Sequence, residues 1–179
     1  MRRRRAAGFT LIEVMITVAI VGILAMLSVV AYRRWTHSAY LAEAQDMVAS
    51  IRTAENAFFA ENGAYLNVTP GLGPGNSYPS AHPGKFKTAW ACDPTTCPSA
   101  NAWKALGVTS DAPVIFGYSC IAGNGIPNIG TPPKINGTQL DISHMPTGPW
   151  FFIQADANVT GDGLSFQHCL LYTSDAADE

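Results

Sequence analysis

The sequence predicts an α+β protein, with a long N-terminal α-helix, transmembrane then amphipathic, packed on a small antiparallel β-sheet. Three observations lead there. An apolar run extends from Phe9 to Tyr32, apolar residues at helical spacing follow it, and short β-rich runs separated by turn formers occupy the C-terminal half. A length of 179 residues suits one domain plus an anchor or stalk. With 47% apolar and 13% charged residues, the composition excludes an intrinsically disordered chain. Net charge is -2, and without the Arg2–Arg5 block 7 basic residues face 13 acidic ones. That balance speaks against strong non-specific nucleic-acid binding.

The first element is FTLIEVMITVAIVGILAMLSVVAY, residues 9–32, which holds one charged side chain, Glu13. At about 1.5 Å per residue it is long enough to cross a bilayer. Arg2–Arg5 precede it and Arg33–Arg34 follow it, so the positive-inside rule places the N-terminus in the cytoplasm. A secretory signal peptide is the competing reading, but SVVAYRRW after the run has no small-residue cleavage site. Glu13 needs a separate explanation. A carboxylate at the centre of a bilayer costs roughly 2.5–3.5 kcal/mol, so it either sits near the hydrated interface or has a cationic partner. No Lys, Arg or His lies one helical turn away, whereas a new amino group made by cleavage near Gly8 would supply the cation.

The second element continues the first. Leu41, Ala44, Val48, Ile51, Glu55 and Phe58 recur at helical spacing and mark a core-facing stripe, and Asn62-Gly63 is a helix stop. One helix from Phe9 to about Glu61 would be roughly 80 Å long.

The string RRRRAAGFTLIEVMITVAIVGILA closely resembles the class III signal of type IV prepilins and of type II secretion pseudopilins. SIRTAENAFFAENGAYL is similar to the second half of the long pilin helix, so the resemblance covers about the first 66 residues. It implies that a prepilin peptidase cuts between Gly8 and Phe9, that Phe9 is then N-methylated, and that the Glu13 carboxylate neutralises the Phe9 amine of a neighbouring subunit on assembly. The pairing is physically sound, because two buried charges are tolerated together where one alone is costly. Phe9 and Glu13, four apart, share one helix face. Val30 stands where many major pilins carry a helix-distorting proline, which leaves Gly22 as the weak point of this half and points to a minor subunit.

The expected organisation is a leader at 1–8, a transmembrane and filament-core helix at 9–34, its amphipathic half at 35–62, and a globular pilin-like domain at 63–168. Within the last, residues 68–98 are rich in Gly, Pro, Ser and Thr and read as an exposed loop. Strands are expected at Val114–Ile121, Leu140–Ser143 and Trp150–Ala155. Residues 169–179, CLLYTSDAADE, resemble translated read-through of a transposase adapter used in sequencing libraries and are expected to be non-native.

Cys92, Cys97, Cys120 and Cys169 are disulfide candidates on the non-cytoplasmic side, with Cys92–Cys97 closing a small loop and Cys120 left to pair with Cys169 unless that residue belongs to the adapter. Zinc held by Cys92 and Cys97 with His82 or His144 is the alternative. Asp156, Asn158, Thr160 and Asp162 partly match a calcium loop that would end in Glu, where this chain has Gln167; an Asx- and Gly-rich turn explains the same residues without metal. No other cofactor is expected. Phosphate loops, HExxH and GxSxG are absent, and a Cys120–His144 dyad suits an oxidising compartment poorly, so the chain reads as a non-enzyme. Expected partners are other pilin or pseudopilin subunits, prepilin peptidase, the inner-membrane assembly machinery and, before assembly, membrane lipid. DNA is disfavoured, since Lys85, Phe86, Lys87 and Trp90 form a thin basic-aromatic footprint. The main alternatives are a type II secretion pseudopilin and a singly anchored periplasmic binding or enzymatic domain. The expected destination is the inner membrane, then a periplasmic or extracellular filament.

Overall fold

The structure, a computed structural model, describes residues 9–73, 75–93, 95, 97–125, 134–135, 138–139, 148–158 and 166–173, with the backbone alone at 33, 37, 134–135, 138–139 and 166–173. The chain divides into two compact units, one ending at Leu41 and one starting at Ala42.

Helix α1, Leu11–Asn62, belongs to both units. It contains no proline and one glycine, Gly22, so nothing in it breaks the backbone ladder. The helix stops where Gly63 adopts φ 71° and donates its N–H to the Phe59 carbonyl at 2.8 Å. Only glycine takes that left-handed conformation at little cost.

In the second unit α1 contributes Ala44, Val48, Ile51 and Glu55 to the core, all of them members of the predicted stripe, while Phe58 lies at its margin. A short helix, α2 (Ala100–Leu106), buries Trp103 and Leu106 and ends at left-handed Gly107. Among the described residues five strands follow: β1 (Gly117–Asn124), β2 (Lys134–Ile135), β3 (Thr138–Gln139), β4 (Pro149–Ala157) and β5 (Phe166–Thr173). β1, β4 and β5 form an antiparallel sheet in that order, and β2 pairs with β3. The α+β expectation therefore holds.

Strands β1 and β4 are buried on both faces. Along β1, residues Gly117 to Ile121 are all buried, as is β4 from Trp150 to Ala157. Cys120 is in register with Ile153 and Tyr118 with Ala155, while Ser119 pairs with Gln154 and Gly117 with Asp156. Alternation puts these pairs on opposite faces. α1 meets the Cys120 face through Glu55, and the segment around Ser77 covers the Gly117 face. A Cβ at Gly117 would come within 2.7 Å of Ser77 Cβ and 2.9 Å of the Ser80 carbonyl, so only glycine allows that approach.

Several expectations shift. Strand β1 begins three residues later than expected: Val114 makes an isolated bridge with Thr88 instead. Residues 68–98 are not simply an exposed loop, because Val68, Thr69, Ser77, Tyr78 and Trp90 are buried. Their burial has a backbone cause. Tyr78 exchanges N–H···O bonds of 2.8 and 2.7 Å with Tyr118, covering the free edge of β1. Tyr78, Trp90 and Trp103 then pack ring against ring beneath α2. Neither α2 nor β5 was expected, and β5 runs across the boundary anticipated at residue 169. The strand expected at Leu140–Ser143 lies outside the described residues.

Candidate functional site

The N-terminal turn of α1 is built by Thr10 and Glu13. Thr10 is the non-helical residue before Leu11, and its Oγ1 accepts the Glu13 N–H at 3.3 Å, satisfying one of the donors that every helix start leaves open. Glu13 thus lies in the first turn, where the helix dipole favours a negative charge. Its carboxylate is exposed and has no partner among the described residues. Phe9 is 78% exposed, and Gly8 lies outside the described residues. Beyond this turn Leu11, Ile12, Val14, Met15, Ile16, Val18, and onwards to Val30 and Tyr32, stay open on every side. Two aliphatic hydroxyls of this stretch bond within the helix: Thr17 Oγ1 donates to the Val14 carbonyl and Ser28 Oγ to that of Leu24. By length and composition, α1 carries an apolar stretch sufficient to cross a membrane. The site is an unpaired carboxylate at the start of an unpartnered apolar helix. It can bind a cation and pack against apolar surface.

A second carboxylate on the same helix behaves differently. Glu55 is fully buried, its Oε2 accepting the Leu66 N–H at 2.9 Å and its Oε1 the Cys120 thiol at 3.4 Å. Burial dominates and pushes its pKa up to about 7, and the two hydrogen bonds only partly offset this. Burial and the neighbouring Glu55 push the Cys120 thiol well above its ordinary range, so this cysteine is unreactive where it sits. Sequence reasoning placed Glu55 on the stripe but assigned it no role; a carboxylate among core positions was the available signal. It also missed Glu43, whose Oε2 pairs with Lys87 at 2.8 Å and whose Oε1 accepts the Ile115 N–H at 2.7 Å.

Cys92 and Cys97 form a disulfide, which removes both from the zinc alternative. His82 is exposed, and His144 lies outside the described residues. Cys120 is free and buried, and its expected pairing with Cys169 fails on backbone grounds. β4 lies between β1 and β5, so the two residues are separated by two strand spacings, about 9–10 Å. That exceeds the roughly 7 Å a disulfide can span between Cα atoms.

Of the calcium candidates, Asp156 is buried in β4, accepting from Gln154 Nε2 at 2.8 Å and Ser77 Oγ at 3.4 Å, so it serves the sheet and its covering segment. Asn158 follows β4, while Thr160 and Asp162 lie outside the described residues. The basic-aromatic footprint is divided: Trp90 is buried, Lys87 is paired with Glu43, and Phe86 is exposed.

Residues 3–29 match the prokaryotic N-terminal methylation motif, which contains Gly8, Phe9 and Glu13. The chain is 36% identical over 69 residues to the type IV major pilin protein PilA of Myxococcus xanthus, an alignment covering 38% of this chain and 31% of that protein. It therefore spans about a third of the length of the relative it matches. No solved structure matches it. With a methylation motif opening a long apolar helix, and the amphipathic continuation of that helix packed on an antiparallel sheet, the chain is similar to type IV pilin-like proteins.

Proposed function

We propose that the protein is a minor structural subunit of a type IV pilus-like filament. It is inserted in the inner membrane with its N-terminus in the cytoplasm and its sheet unit in the periplasm, cut by prepilin peptidase between Gly8 and Phe9, N-methylated at Phe9, and assembled through α1. The observation that carries this reading is the unpaired Glu13 in the first turn of an apolar helix, inside the matched motif. In a filament, the Phe9 amine of a neighbouring subunit gives Glu13 its counter-charge, and the apolar side chains of residues 11–32 bury one another. The uninterrupted passage of α1 through Val30 supports a specialised rather than a major subunit, although the relative from Myxococcus xanthus is itself a major pilin. A type II secretion pseudopilin is the second reading, supported by the same signal. Genomic neighbours separate the two: pilus retraction motors favour the first, a secretin-linked secretion cluster the second.

The test is intact-mass and N-terminal analysis of the chain expressed with and without prepilin peptidase, beside Gly8→Ala. Peptidase-dependent loss of residues 1–8, blocked by the substitution, is the expected result. Persistence of the leader with active peptidase overturns the filament reading and favours a singly anchored periplasmic domain.

A further inference from the structure

In the second unit, Phe86 is the only large apolar side chain that stands in the open among the described residues, at 86% exposure. The chain directly after it is anchored: Lys87 pairs with Glu43 at 2.8 Å, and Thr88 exchanges N–H···O bonds of 2.7 and 2.9 Å with Val114. The ring is thus presented outward from fixed backbone. A lone exposed ring is ordinary on a protein surface, but this one has a counterpart. The same unit carries a cavity of about 260 Å³ walled by Tyr78, Trp90 and Trp103, with the exposed residues Asn101, Lys104 and Thr109 at its mouth. Tyr78 donates its hydroxyl to the Trp90 carbonyl and Trp90 its indole N–H to that of Val108, so these two rings have their polar atoms satisfied. A cavity of about 150 Å³ holds benzene. This one therefore has room for a phenyl ring, between aromatic walls that favour ring-on-ring contact. Phe86 stands outside its own chain's cavity.

Charge points to the same match. Lys85, exposed and with no partner among the described residues, precedes the ring, whereas Asp93 and Asp111, both exposed, flank the cavity residues Cys92 and Thr109 against the lysine Lys104. A basic projection faces a mouth in which acid outweighs base. The projection and the cavity are different patches of one chain, so their contact is heterologous, and repetition of such a contact builds an open filament unless its rotation closes a ring.

We propose that Phe86 of one copy seats in the cavity walled by Tyr78, Trp90 and Trp103 of the next copy, linking second units along the filament. This inference rests on the proposed filament and requires only that two copies stand side by side. Packing of the apolar helices supplies a high effective concentration, so a contact of one ring and one charge pair is enough.

The experiment uses the full chain, in a Cys169→Ser background, in membranes of cells that carry prepilin peptidase and the assembly machinery. Gly84→Cys and Asn101→Cys chains are coexpressed and treated with a short bismaleimide. Gly84 has open space at its Cβ position, Asn101 is exposed, Cys120 is buried, and Cys92 and Cys97 are joined, so the reagent meets the introduced thiols. A covalent dimer is expected from the mixture and from neither variant alone. Phe86→Ala added to the Gly84→Cys chain, or Thr109→Trp added to the Asn101→Cys chain to obstruct the mouth, is expected to lower its yield about tenfold. Both changes are at exposed positions, so the unfolding midpoint is expected to stay at the wild-type value. Where filaments form, a mixture that gives no dimer, equal dimer from either variant alone, or a yield unchanged by Phe86→Ala and Thr109→Trp overturns the docking and leaves the filament reading standing. Where no filaments form, a Phe86-dependent dimer sinks the filament reading and keeps the docking, and absence of that dimer overturns both.

Discussion

Glu13 and Glu55 lie on one helix and have opposite fates. Glu55 is enclosed, with Leu66 donating to one oxygen and Cys120 to the other, so its needs are met within its own unit. Glu13 stands in the open with no partner among the described residues, at the start of a helix whose apolar side chains are equally unpartnered. The difference teaches that one half of α1 is a finished part of a folded unit, while the other is an apolar surface that no described residue covers and that is proposed to find its partners in lipid or in other copies. Burial of a carboxylate is tolerated in both settings only when the charge is removed or matched. Burial pushes Glu55 toward the first route by raising its pKa to about 7, and Glu13 is proposed to take the second.

The sharpest test of this contrast is assembly. Glu13→Ala is expected to abolish filaments seen by electron microscopy, while the thermal midpoint of the sheet unit in detergent stays at the wild-type value. A matching fall in stability would erase the distinction between the halves. In the finished half, Phe151→Ala removes a fully buried ring that packs against Tyr65. It is expected to cost about 3–5 kcal/mol in denaturant unfolding, from lost burial and the cavity left behind.

Glu55 gives a pH signature. Its pKa rises from 4.5 unfolded to about 7 folded, so the folded state binds the extra proton. The stabilisation is complete below the unfolded pKa and is lost as pH rises from 4.5 to about 7. The expected decline is at most about 3 kcal/mol. Glu55→Gln keeps an acceptor for the Leu66 N–H and is expected to flatten that slope in unfolding titrations. A slope equal to wild type would assign the pH dependence elsewhere.

Two smaller effects refine the comparison. Thr10→Ala removes the cap at the N-terminal turn and should fray it, costing about 1 kcal/mol of local helix stability, measured by amide exchange at residues 11–14. Lys87→Ala breaks the ion pair to Glu43, whose partner ammonium is half exposed, and should change stability by only about 0.2–1 kcal/mol in the same unfolding assay. A loss several times larger would mean that the bond from Glu43 to the Ile115 N–H fails with it.

Much of this protein was legible from local pattern. The apolar run, the stripe ending at Asn62-Gly63 and the signal around Gly8, Phe9 and Glu13 are written at short range, and helices depend on short-range spacing. The disulfide between Cys92 and Cys97 was likewise visible from its small loop. Less visible was the order within residues 68–98. Tyr78 and Trp90 sit among turn formers, and only the distant partners Tyr118, Trp103 and Val108 show why they are buried. The strand at Val114 was misplaced for a related reason: its β-forming residues pair with Thr88 as a single bridge, and the continuous ladder begins only at Gly117.

By itself, then, the sequence determined that a long helix exists, which half of it is apolar throughout, and where a carboxylate breaks that pattern, because these follow from i to i+4 neighbours and composition. Tertiary structure alone decided that Glu55 is enclosed, that Cys120 points to its carboxyl group instead of a second cysteine, and that Gly117 must lack a side chain beneath Ser77. Those outcomes depend on which strands and loops meet across tens of residues, and strand register carries no local signature that could reveal them in advance.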